Sequence, residues 1–195
     1  MMPRADDDRA LMRRLQRGDE RALAPLILRH SGRMLAVAAR LLGSRPDAED
    51  AVQRAFIRCH AHARFYRSEW TVTTWLYRIL TNACVDEIRR RRARPEEPMP
   101  AVGPGRSPAT GRAAGSGTGA GVEVRLDLER GLARVPTEAR ALLVLRYVEG
   151  LSYGELARVR GISVNTVKSQ LKRGREILKA ALTERPRSMR QGGRR

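Results

Sequence analysis

Cysteine, aromatic residues and lysine are all scarce in this chain, and it has no long apolar run. Two cysteines among 195 residues, Cys59 and Cys84, make no disulfide framework, so a reducing, cytoplasmic setting is expected. No apolar stretch approaches the roughly 20 residues of a membrane span. The first nine residues carry Asp6, Asp7 and Asp8 and lead into no apolar signal segment, so neither membrane insertion nor export is expected. Cys59, His60, His62 and Cys84 invite a zinc reading, but the spacing is not that of a finger, and successive helical positions point apart. No phosphate loop, nucleophile elbow or zinc-protease motif occurs. No metal, no cofactor and no catalytic activity are expected.

What is present is positive charge. The formal net charge is +18, and lysine contributes only Lys168, Lys172 and Lys179, so arginine carries nearly all of it. A strongly basic chain of this kind pairs with a polyanion, nucleic acid first. Residues 93–121 hold 7 Gly and 5 Pro and almost no large apolar side chain. Such a segment cannot offset its ordering entropy by burial and is read as a flexible linker. It divides the charge into +8 for residues 1–92, +1 for the linker and +9 for the remainder. Two basic units on a tether suggest two contact points on one long polyanion. Extended, the tether reaches on the order of 95 Å, more than two turns of duplex.

Both units read as helical, and the fold class expected is all-α. Leu11, Leu15, Leu23, Leu26 and Ile27 recur at helical spacing, as do Met34, Leu35, Ala38, Leu41 and Leu42. Gly43 to Asp47 stop one helix and start the next, with Asp47 expected as its N-cap. That helix places Ala48, Val52, Ala55, Phe56 and Cys59 on one face, and a further helix spans about 73–92. After the linker, a helix ends at Pro136, and Thr137 is expected to cap a second that stops at Gly150.

Residues 151–183 carry a helix-turn-helix pattern. Ser152-Tyr153-Gly154-Glu155 is a Ser-x-x-Glu capping box. Gly161 supplies a left-handed turn, and Ser163 caps the next helix. Leu156, Ile162, Val164, Val167 and Leu171 are expected between the two helices, with Ala157 small at their crossing. The second helix offers Asn165, Thr166, Lys168, Ser169, Lys172, Arg173 and Arg175 to a major groove, where such side chains reach base edges and phosphates.

Only eight aromatic residues exist, and six lie between Phe56 and Tyr77, interleaved with Arg58, Arg64 and Arg67 and followed by Arg78. Aromatic rings stack on unpaired bases while arginines follow the backbone. A minority of the six, Phe56 and Trp75 first, are expected in the core. Trp70, set in a polar loop, is the least core-like.

These blocks together resemble a known family. Asp47-Ala48-Glu49-Asp50-Ala51-Val52-Gln53, Phe56, Thr74-Trp75-Leu76-Tyr77-Arg78-Ile79, Asn82 and the run Arg89 to Arg92 resemble the second conserved region of bacterial RNA polymerase sigma factors. Residues 132–182, with Asn165-Thr166-Val167-Lys168-Ser169, resemble the fourth. With only a linker between, the chain resembles the small extracytoplasmic-function (ECF) group. The resemblance implies a polymerase-binding and minus-ten unit at 10–92, the linker at 93–121, a minus-thirty-five unit at 122–183 and a disordered basic tail at 184–195. It implies that Asp47, Asp50 and Gln53 face the β′ clamp helices of core polymerase. Trp70, Arg78, Asn82 and Arg89 would meet the melted minus-ten strand. Asn165, Thr166, Lys168, Ser169, Lys172 and Arg173 would read the minus-thirty-five element, near the β flap. It further implies promoter DNA and an anti-sigma factor as partners, a chain monomeric when free, and no catalysis of its own. Arg54 stands where the family more often has an acidic residue, and Ala51 where a larger aliphatic is common. The helix-turn-helix taken alone leaves a second reading open, a stand-alone transcriptional regulator.

Overall fold

The computed structural model describes residues 5–93 and 119–184. Among them are eight α-helices and no strand. The first group is α1 (Ala5–Gln16), a 3-10 turn (Glu20–Ala22), α2 (Leu23–Leu42), α3 (Arg45–Ala61), a second 3-10 turn (Ala63–Phe65) and α4 (Val72–Ala93). The second group is α5 (Gly119–Arg134), α6 (Thr137–Tyr147), α7 (Tyr153–Arg160) and α8 (Val164–Thr183). The all-α class therefore agrees with the sequence pattern. The flexible linker and the basic tail read from composition lie, at 94–118 and 185–195, outside the described residues. Helix α5 begins at Gly119, inside the expected linker.

Helix ends follow local chemistry, with two corrections. Gly43 closes α2 at φ +69°, a conformation open to glycine without strain. The N-cap of α3 is Ser44, not Asp47, because Pro46 fits the first helical turn, where its missing N–H forfeits no bond. Thr137 does not cap α6. Pro136 holds the cap position, and Thr137 is the first helical residue, buried, with its hydroxyl unpaired. The Ser152–Glu155 box and the Ser163 cap form as expected, and Gly161 turns at φ +66°.

Helices α2, α3 and α4 pack around Leu26, Met34, Leu41, Ala51, Phe56, Leu76 and Leu80. Helix α1 crosses α2 and α4 and is fixed by a buried carboxylate. Asp8 lies 2.8 Å from Nε2 of His30 and accepts from Nη1 of Arg29 at 2.9 Å. In the second group α6 is the central element, with Ala139 to Leu145 all buried. Gly174 lets α8 approach it, since a Cβ there would sit 3.1 Å from Leu143 Cδ1 and 3.2 Å from Ala139 Cβ. Leu156, Val167 and Leu171 are buried between α7 and α8, whereas Val164 is 39% exposed. As the first residue of α8, Val164 precedes the turn that meets α7.

The two groups pack on one another, α2 against α6 and α4 against α6 and α7. Arg140 is buried at this junction without a carboxylate. Nη1 donates to the Leu41 carbonyl (3.1 Å), and Nη2 donates to those of Ala133 (2.7 Å) and Val135 (3.1 Å). These carbonyls belong to the C-terminal ends of α2 and α5, the negative ends of the helix dipoles. They stabilise a guanidinium whose pKa burial pulls below its ordinary value.

Candidate nucleic-acid and polymerase interface

The loop before α4 holds the aromatic and basic residues that sequence singled out. A cavity of about 320 Å³ is lined by Phe65, Arg67, Trp70, Trp75 and Arg78. Phe65 is 60% exposed, and the guanidinium of Arg64 stacks on its ring at 4.7 Å. Trp70 is half-buried, with the Arg78 guanidinium 5.1 Å from its ring centroid. The pocket thus offers π-faces and two arginines beside each other, a combination that accepts an unpaired base and its phosphate. Four of the six clustered rings, Phe56, Tyr66, Trp75 and Tyr77, are buried. The expectation of a minority in the core is corrected, because α1, α2 and α6 each cover a side of α4 that the sequence of α4 alone leaves open.

Trp70 and Arg78 share this pocket, but Asn82 and Arg89 continue along α4 to contacts with the second group. Arg78 Nη1 donates to the Arg158 carbonyl (3.1 Å), and Asn82 Oδ1 accepts from Arg160 Nη1 (2.9 Å). Glu138 accepts from Arg89 (3.1 Å) and from Arg160 (2.5 Å). The Tyr77 hydroxyl bonds Glu149, whose carboxylate lies 3.7 Å from Arg33. Burial and the Glu149 charge both raise the Tyr77 pKa. Glu138, Glu149, Arg140, Arg158 and Arg160 were not singled out in the sequence, since only the packing of the two groups gives them a role.

On α8, Asn165, Lys168, Ser169, Lys172 and Arg173 are exposed on the N-terminal half. Thr166 is half-buried and tied to the cap: its N–H donates to Ser163 Oγ at 3.0 Å, and the two hydroxyls are 2.8 Å apart. Arg175 turns to the Tyr147 hydroxyl (3.3 Å) instead of joining the row.

On α3, Asp50 and Gln53 are exposed. Asp47 is 2.5 Å from Arg91 of α4. The Arg91 and Ser44 side chains hold its carboxyl below the usual range. Glu87 gathers Arg54 (3.4 Å), Arg91 (3.1 Å) and Arg90. Burial works against its charge, but the three arginines prevail and lower its pKa. Arg54 therefore faces α4. Gln53 and Glu49 border an open apolar groove of about 720 Å³ between α2 and α3, floored by Leu23, Ile27, Val52 and Phe56. Cys59 and Cys84 are buried, and burial pushes both thiols up to about 12, while His60 and His62 are exposed.

Comparison with known proteins gives this arrangement a family. Residues 26–94 match Sigma-70 region 2, and residues 125–178 match Sigma-70, region 4. Both helical groups are thus matched, not the helix-turn-helix alone, which disfavours a stand-alone regulator. The chain is 35% identical over 161 residues to the ECF RNA polymerase sigma factor SigM of Mycobacterium tuberculosis, spanning 83% of this chain and 77% of that one. It is 29% identical over 180 residues to the ECF sigma factor SigW of Bacillus subtilis, spanning 89% and 95%. Its fold is similar to that of CnrH in complex with the cytosolic domain of CnrY, with a TM-score of 0.67, 29% identity and coverage of 92% of this chain and 99% of that one. Matched by both Sigma-70 regions and 35% identical to SigM over most of its length, the chain belongs to the ECF group of RNA polymerase sigma factors, which bind core polymerase and direct promoter-specific initiation.

Proposed function

We propose the following division of labour within that activity. The unit at 10–92 docks on polymerase and captures the melted minus-ten strand, and the unit at 122–183 reads the minus-thirty-five element. The observation that carries this is the pocket of Phe65, Arg67, Trp70, Trp75 and Arg78, an unpaired-base receptor at the start of the helix that matches region 2. Trp70 stacks the base, Arg78 and Arg67 hold its phosphates, and Asn82 and Arg89 follow the strand along α4. Lys168, Ser169, Lys172 and Arg173 meet base edges, Asn165 lies beside them, and Thr166 fixes the helix start. Asp50 and Gln53, with Asp47 behind them, meet the β′ clamp helices along the apolar groove, and the second unit touches the β flap.

The chain supplies recognition and positioning, and polymerase supplies the chemistry; we assign it no catalytic residue, and its place of work is the cytoplasm. Among the described residues no helix is long and apolar enough to cross a membrane. An anti-sigma factor is proposed as a further partner, on the likeness to CnrH bound by CnrY.

Run-off transcription tests the reading. Core polymerase with this protein is expected to start transcripts, from a genomic promoter library, that core alone does not. Folded protein that stimulates none of them would refute it.

A further inference from the structure

Trp70 lies in a stretch without helix between the second 3-10 turn and α4, yet its ring has one defined place over Arg78. The cause is Tyr66. This ring does not line the pocket. It is buried beneath it, 6% exposed, with its edge on Trp75 at 5.5 Å and 69° between planes. Its hydroxyl donates to the Trp70 carbonyl at 2.6 Å, across the turn that the Trp70 N–H closes on the Arg67 carbonyl (3.1 Å). Burial raises the hydroxyl's pKa, so it remains a donor at neutral pH. The Tyr66 carbonyl in turn accepts from Gln16 Nε2 at 3.0 Å. Gln16 is the last residue of α1, which precedes the span matched to Sigma-70 region 2.

We propose that Gln16 and Tyr66 are positioning residues for the base pocket: α1 holds the Tyr66 backbone, and the Tyr66 hydroxyl sets the Trp70 backbone and hence the stacking plane offered to an unpaired nucleobase. The inference rests on the reading of Trp70 as a base-stacking residue. Two neighbours support a positional role over a merely packing one. A phenylalanine would fill the same space against Trp75, so the hydroxyl serves polar contacts alone, to the Trp70 carbonyl and to the Arg9 side chain of α1. Gln16 is exposed except for this bond, so it adds little burial.

The test uses holoenzyme reconstituted from core polymerase and the full chain. Its probes are a single-stranded oligonucleotide carrying the minus-ten element and a duplex carrying only the minus-thirty-five element. Tyr66→Phe is expected to weaken single-strand binding about three- to tenfold, the worth of one hydrogen bond, and to leave duplex binding unchanged. Gln16→Ala should act in the same direction and, at an exposed position, keeps the test available if Tyr66→Phe fails to fold. The decisive measurement is the double-mutant cycle with Trp70→Ala. In that background neither Tyr66→Phe nor Gln16→Ala should weaken binding further, because their effect passes through the indole. Losses that simply add overturn the proposal, as does unchanged single-strand binding in both variants while Trp70→Ala alone weakens it. If Trp70→Ala itself leaves single-strand binding intact, the reading of the pocket falls first and the brace with it.

Discussion

At the scale of single residues, α8 separates side chains proposed to read bases from side chains that hold the fold. Lys168, Lys172 and Arg173 are exposed, and among the described residues no carboxylate pairs with them, whereas Arg175 is drawn to Tyr147 and Thr166 to Ser163. Arg173→Ala is therefore expected to cost about 1–3 kcal/mol of promoter affinity and to relax selectivity at one base position, if it reads a base edge. Binding measured across a panel of single-base promoter variants checks this. A uniform loss over the panel would make Arg173 a phosphate contact instead. Arg175→Ala should change selectivity at no position.

At the scale of elements, the joints between helices make separate predictions. The clasp of Asp47, Glu87, Arg54, Arg90 and Arg91 ties α3 to α4. Both carboxyls have pKa values depressed below those of an unfolded chain. Their contribution to stability is present above the ordinary carboxylate range near pH 4 and is lost as pH falls through the lower folded values. Thermal melts at falling pH should thus show a loss of stability that Asp47→Asn, which has already lost the charge, shows less of. Packing gives a contrast between two glycines. Gly32, mid-helix in α2, has open space where a Cβ would go, so Gly32→Ala is expected to stabilise by about 1 kcal/mol. Gly174→Ala meets the Ala139 Cβ, which has no rotamer to escape into, and should instead destabilise by about 1–2 kcal/mol. Denaturant midpoints compare the two.

The same scale shows what sequence can reveal. The Ser152–Glu155 box, Gly161 and the Ser163 cap were legible because each depends on three or four adjacent residues. Asp47 and Thr137 were misplaced as caps because a proline beside each shifts the helix start: Pro46 sits in the first turn of α3, and Pro136 takes the cap position of α6. The burial of Tyr66 and Tyr77 depends on which helices cover α4, and no local pattern in α4 encodes that. The candidate site was legible in its parts, Trp70 with Arg78 and the α8 row. That Asn82 and Arg89 point at Arg160 and Glu138 was not, since the partners lie 49 and 78 positions away in the chain.

At the scale of the whole molecule, the charge of +18 divides into two basic units, and arginines of the first pair with acids of the second, Arg33 with Glu149 and Arg89 with Glu138. Glu138 takes Arg89 across the junction and also holds Arg160 of its own unit, which reaches Asn82. Glu138→Ala is expected to loosen the junction. An exposed ion pair is worth about 0.2–1 kcal/mol, and Glu138 makes one across the junction, so the free protein should gain about 1.5- to fivefold in affinity for the minus-ten single strand. Titration with a fluorescent oligonucleotide in the absence of polymerase measures it. An unchanged affinity would show that the junction does not restrain α4.

Arg78, Asn82 and Arg89 each have a protein partner on the face proposed for the strand. On that proposal, DNA and the helix-turn-helix unit would compete for the same donors and acceptors. The measured dissociation constant of the free chain is its intrinsic value divided by the fraction of molecules in which that face is vacant. The linkage is reciprocal: a bound strand must drive the units apart by the same factor by which their contact weakens the strand. Any ligand that grips only the separated form then raises promoter affinity without touching a base.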